Sequence, residues 1–402
     1  MVPYQIAYNP ISTIIILYIL ELHGSVIDVA YAITLANLVV IPASIFWGRA
    51  VEKYNRRKLF INVSFFGLAI SLVGLYFSTT VLEVTLLYSF LSFMIIANAT
   101  PLNLLIMETE PEERWPAAFS GLQMLSSIGS IASLVFASVL SYAISIRSLL
   151  IALVPFTILA MLFASPISEP EGSKPVVLSL RHPIQASLLP HLHFQGLKLK
   201  DLSAVLSSMR KLFSKGYFQL LMFAVFAFYL ASSMFNTAYP AGLEEQGISN
   251  FGIFAIFAIS TAASALTFFA LESFFPKFPE QDALSVSLGV RGAGYAAIGA
   301  IFALQTSRQL FIGLNTLAYL LAAGIAYALF YTTMNSMVFK SVSKGLDRSY
   351  KLGVYNGVIG LGTLVGSFFA GYSSYFVGYW FTFAISGVII LASMYLFLRY
   401  LR

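Results

Sequence analysis

The chain has 402 residues, of which 58% are hydrophobic, 15% aromatic and only 10% charged. Soluble proteins run about 45–50% apolar and about 25% charged, so a large water-soluble enzyme is excluded, and so is a disordered chain. The net charge of +6 raises a nucleic-acid partner, which the placement of the charges argues against, and the absence of cysteine removes disulfides and thiolate metal sites.

The first ten residues, MVPYQIAYNP, have neither a basic segment nor a small-residue cleavage site, and read as the start of a span. A bilayer crossing needs about 20 apolar residues. Such runs predict spans over 4–22, 26–48, 58–77, 82–107, 117–143 and 147–165, then 216–240, 248–271, 284–304, 309–336, 352–374 and 377–399. Long continuous apolar runs are not the alternating strands of a barrel. The expected class is all-α: a polytopic membrane protein of twelve transmembrane helices. Six-helix bundles over 1–165 and 216–402 flank a linker, 166–215.

Basic residues set the orientation. They crowd the loop after span 2 (Arg49 to Lys58), the linker, the loop after span 10 and the C-terminus, whereas Arg147 and Arg308 stand alone on the other side. This bias places both termini and the linker in the cytoplasm of a plasma-membrane protein. It accounts for the positive balance without nucleic acid.

A weak internal echo joins the halves: AFSGLQMLSSIGS (118–130) and VYNGVIGLGTLVG (354–366) open spans 5 and 11 with matching Gly121 and Gly357. Parallel repeats of this kind place a binding cavity near the membrane midplane. Within the linker, 197–213 has apolar residues at helical spacing flanked by lysine and arginine. It is either an amphipathic helix on the anionic inner leaflet or a plain connector. His182, His191 and His193 have no carboxylate or thiol to complete a cluster, so a solvated loop is expected, with no metal and no other cofactor.

The loop from span 2 into span 3, WGRAVEKYNRRK (47–58), resembles the signature of the major facilitator superfamily: Gly, three residues, Asp, Arg, one residue, Gly, then two basic residues. Gly48, Glu52, Lys53, Asn55, Arg56 and Arg57 stand at those positions, with Glu for Asp, Lys for Arg and Asn for Gly. Asparagine best tolerates the left-handed backbone that glycine supplies. The resemblance covers essentially the whole chain and implies that family's fold, with two pseudo-symmetric bundles. It further implies a gating loop in which Glu52 faces the start of span 11, where a helix dipole is positive. Arg56 or Arg57 would then pair with Glu108. Otherwise these residues are positive-inside anchors. The equivalent loop of the second half, LESFFPKFPEQD, lacks the pattern.

In that family spans 1, 2, 4, 5, 7, 8, 10 and 11 line the cavity. Uncharged polar residues on them are the candidate substrate contacts: Asn9, Asn37, Asn98, Asn103, Gln123, Asn236, Tyr331 and Asn335. Each has the alternative of an interhelical hydrogen bond, and the glycines of span 11 suit close packing and bending. Arg291, a third of the way into span 9, is expected to snorkel to the cytoplasmic interface, the alternative being an anion site. Ser25 and Asp28 have capping-box spacing, which favours capping over proton binding for Asp28. Glu21 is the one candidate for proton coupling.

The leading expectation is a secondary active or facilitative transporter of a small organic solute, neutral or amphiphilic and in one version exported, working by alternating access as a monomer in the bilayer. A receptor or scaffold with the same fold is the alternative. A membrane-embedded enzyme is weaker still, because no span holds a histidine or a carboxylate pair.

Overall fold

The computed structural model describes residues 1–54, 56–109, 115–166, 217–274, 279–304, 307–342 and 348–401. Among them every regular element is helical, as hydrocarbon demands of backbone that has no water to bond. In chain order these are α1 (Val2–Tyr8), α2 (Ile11–Glu21), α3 (Val26–Tyr54), α4 (Arg57–Phe77), α5 (Val81–Thr109), α6 (Trp115–Ala143) and α7 (Ile146–Ala164). After the linker come α8 (Tyr217–Glu245), α9 (Asn250–Phe274), α10 (Glu280–Ala303), α11 (Arg308–Tyr319), a π-helical turn (Leu320–Ile325), α12 (Ala326–Val342), α13 (Arg348–Phe376) and α14 (Tyr379–Leu401).

Eleven stretches of helix among the described residues are long and apolar enough to cross a membrane. The expected first span, 4–22, is not one rod but α1 and α2, parted at Asn9–Pro10. Proline has no N–H, so Pro10 cannot donate to the Ile6 carbonyl one turn earlier. The Ser133 hydroxyl donates to that oxygen instead, at 2.9 Å. Several helices outrun their apolar cores: α10 begins at Glu280 and α13 at Arg348, each four residues before the expected boundary. Polar residues carry the helix into the headgroup zone, where hydropathy no longer registers it.

Local capping starts several helices. Ser25 N–H and Oγ donate to Asp28 at 2.7 and 2.8 Å, while the Ser25 hydroxyl accepts from Asp28 N–H at 3.4 Å. This is the expected capping box, ahead of α3. Thr80 and Glu83 build a second one ahead of α5.

The chain divides into two compact units, Met1–Gly24 with Ala32–Gly196 and Ser25–Tyr31 with Leu197–Arg402. In the first, α4 packs on α5 and α7, and α1 lies along α6 and α7. A core of Ala43, Trp47, Val51, Phe60 and Ala97 ties α3, α4 and α5, with the Trp47 indole N–H donating to the Phe93 carbonyl at 2.8 Å. In the second, α8 packs on α13 and α14, and α10 on α14. Gly362 and Gly366 let α13 approach the α8 backbone, whereas a side chain at Gly357 or Gly360 would meet nothing within 4 Å. Close packing thus accounts for only part of the span-11 glycines.

Candidate functional site

In the second unit, Tyr327, Tyr331 and Asn335 stand at i, i+4 and i+8, which puts them on one face of α12. Tyr355 of α13 donates from its hydroxyl to Asn335 Oδ1 at 2.8 Å. Tyr229 of α8 completes the group and lies in electrostatic reach of Tyr327, Tyr331, Tyr355 and Arg291. The Tyr327 and Tyr331 rings are 6.1 Å apart, and Tyr331 is 42% exposed. Beside Tyr355, Gly357 and Gly360 leave open space. Three helices thus bring four phenols and an amide together.

Arg291 lies behind this face and does not snorkel: it is only 2% exposed. Its guanidinium is held inside the unit by bonds to neighbouring helices rather than extended along α10 towards the expected cytoplasmic end. Its Nε donates to Ser232 Oγ at 3.2 Å and its Nη1 to the Ala322 carbonyl at 2.9 Å. The guanidinium lies 4.6, 5.0 and 5.5 Å from the ring centroids of Phe228, Tyr295 and Tyr327. Aromatic faces stabilise a cation in low dielectric.

The Ala322 carbonyl is available because it sits in the π turn. A π turn moves backbone bonding from i+4 to i+5 and leaves carbonyls short of their usual partners. Arg291 serves Ala322, and the Ser264 hydroxyl donates to Gly324 and Ala323 at 3.0 and 3.4 Å. Tyr239, Tyr295 and Asn315, buried in the same unit, keep polar atoms without a hydrogen-bond partner.

The first unit has a smaller cluster. Tyr4 and Tyr8 of α1 stack at 5.7 Å, and Tyr4 packs on Phe65 at 5.0 Å. Asn98, 4% exposed, lies beside the Tyr4 hydroxyl and leaves its own Oδ1 unpartnered. Asn9 Nδ2 donates to the Ser130 carbonyl at 3.5 Å.

Asn37 is partly buried in α3 and Asn236 is exposed on α8, while the side chains of Asn103 and Gln123 lie outside the described residues. Glu21 is exposed at the end of α2. Of the loop motif, the side chains of Glu52, Lys53 and Glu108 and all of Asn55 lie outside the described residues, as do the expected helix 197–213 and the three histidines before it. Gly48 faces open space, and Arg56 is exposed at the N-cap of α4. Arg57 is 4% exposed and donates from Nη1 to the Val51 carbonyl at 3.4 Å, one of the last four carbonyls of α3. The neighbouring Lys58 ammonium donates to the Ser165 carbonyl at the end of α7. Both cations therefore hold helix C-termini, where the dipole favours positive charge.

Sequence reasoning reached Tyr331 and Asn335 but missed Tyr229, Tyr327 and Tyr355. The i, i+4, i+8 series on α12 was the available signal.

Family-level comparison matches the Major Facilitator Superfamily over residues 3–346 and again over 221–402. No curated protein matches by sequence. Among solved structures, the nucleoside transporter NupG superposes with a TM-score of 0.68 at 13% identity, over 100% of this chain and 99% of that one. The inward-open xylose transporter XylE from E. coli superposes at 0.69 and 12% identity, covering 100% and 94%. At such identities the likeness is one of fold.

Proposed function

Since this chain belongs to the major facilitator superfamily, a family of multi-pass membrane transporters, we propose that it carries a small organic solute bearing an aromatic ring, by alternating access. The observation that carries this reading is the face formed by Tyr229, Tyr327, Tyr331, Asn335 and Tyr355. Polar side chains are costly against hydrocarbon, so five gathered on membrane-spanning helices belong beside water. Phenols offer flat apolar surface for stacking and a hydroxyl at the rim, the combination that holds an amphiphilic solute in place. The nucleoside and xylose specificities of NupG and XylE support a small organic solute in general. The candidate contacts Asn9 and Asn98 and the gating role of Glu52 and Arg56 belong to the same proposal. So do a plasma-membrane location with cytoplasmic termini, a monomeric state and export.

Counterflow in proteoliposomes tests it. Vesicles preloaded with a solute that shifts the melting temperature should accumulate the labelled solute, and Tyr331→Phe should weaken that solute's binding about tenfold without altering the melting of the free protein. Binding without counterflow would make the chain a receptor. Loss of neither binding nor flux in Tyr331→Phe and Asn335→Leu together would remove this face from the site.

A further inference from the structure

We propose that the tyrosine face selects solutes carrying a single negative charge, with Arg291 supplying the countercharge from behind the Tyr327 ring. The inference rests on the transport reading above and names the class of solute within it.

Arg291 is a cation buried among α8, α10 and the π turn, and among the described residues no carboxylate lies within ion-pair distance of it. Glu280, on the same helix, already pairs with Lys340 at 2.7 Å and accepts from Ser336. It stands eleven residues away, about 16 Å along the axis. Asp282 is exposed. The two hydrogen bonds that Arg291 makes run to neutral oxygens of Ser232 and Ala322. Three rings soften the charge without cancelling it. A buried unit charge left uncompensated is costly, and an anion entering the neighbouring site relieves that cost.

The same geometry sets the selectivity. Tyr327 shares one ring with the guanidinium and with the face that a solute would meet, and Tyr229 lies in reach of Arg291 as well. At an effective dielectric constant of about 20, a full charge about 8 Å away changes affinity about 30-fold. An anion gains that factor over a neutral isostere, and a cation loses it. A single charge is the match, because one guanidinium leaves a second negative charge without compensation.

Three single-ring probes of similar size read this directly: phenylacetate, phenylacetamide and phenethylammonium. Their binding to the full chain in detergent, followed by quenching of intrinsic fluorescence, should rank in that order, with phenylacetate about 30-fold tighter than the amide. Arg291→Met should bring the three affinities together, and R291K, which keeps the charge, should preserve the ranking. An unchanged ranking in Arg291→Met overturns the inference, as does an equal loss for all three probes, which would mark Arg291 as purely structural. Failure of all three to bind the native protein overturns it too. Counterflow of any other solute would leave the transport reading standing in each case, and absence of counterflow alongside an intact charge ranking would sink transport alone.

Discussion

Replacing Gly366 by alanine sets a methyl carbon against the Leu230 carbonyl oxygen, well inside van der Waals contact, and 3.0 Å from the Met234 amide nitrogen. Both are backbone atoms of α8, so no side chain can swing aside; α13 must withdraw or α8 must bend. Overpacking typically costs about 1–3 kcal/mol. Withdrawal also stretches the Ser233 hydroxyl bond to the Thr363 carbonyl, 2.7 Å long, which adds about 1 kcal/mol. A total of about 2–4 kcal/mol should lower the melting temperature by roughly 4–16 °C for a unit of this size. Gly357 and Gly360 supply the internal control on the same helix. A methyl at either meets nothing within 4 Å, and alanine is the better helix former by about 1 kcal/mol, so those variants should melt at or slightly above the native temperature. Intrinsic tryptophan fluorescence in detergent micelles reads all three. Equal destabilisation by all three alanines would refute the division of α13 into a packed edge and an open one.

Other expectations follow from the same kind of contact. Ser133→Ala should destabilise by about 1–2 kcal/mol because the Ile6 carbonyl loses its donor, and most of that loss should vanish in a Pro10→Ala background, where a backbone N–H returns; a thermal double-mutant cycle measures the coupling. Asp28→Ala removes both bonds from Ser25 and should cost about 1 kcal/mol, with Asp28→Asn retaining part of it. Glu280→Gln should move stability by less than about 1 kcal/mol, since the Lys340 side chain is 69% exposed, and the small effect should disappear in high salt.

What the sequence makes legible divides by distance along the chain. The capping box at Ser25 and Asp28 is readable because all its atoms lie within four residues. The spans are readable because bilayer thickness imposes one length on all of them. Arg291 could not be placed this way. Its partners Ser232 and Ala322 are 59 and 31 residues away, and hydropathy alone treats an arginine near a helix start as one that escapes to the interface. The tyrosines fall between these cases. With 22 in the chain, and tyrosine common at membrane interfaces, no single one stands out. The periodic trio on α12 is a local pattern, but its joining to Tyr229 and Tyr355 is tertiary.

Backbone irregularity marks the same places that polar side chains do. A spanning helix that breaks its bonding ladder exposes carbonyls that hydrocarbon cannot satisfy, so an interruption persists only where neighbouring helices supply donors. The first unit does this at Pro10, where Ser133 serves Ile6 next to Tyr4, Tyr8 and Asn9. The second does it at the π turn, where Arg291 and Ser264 serve Ala322, Ala323 and Gly324, just ahead of Tyr327. Each break adjoins a tyrosine cluster. Repair by side chains from other helices leaves the break at Pro10 held by one such bond and the π turn by three, each of which can be exchanged singly. Pro10 and the π turn are therefore the points in the described helices where backbone bonding can be exchanged at the smallest loss.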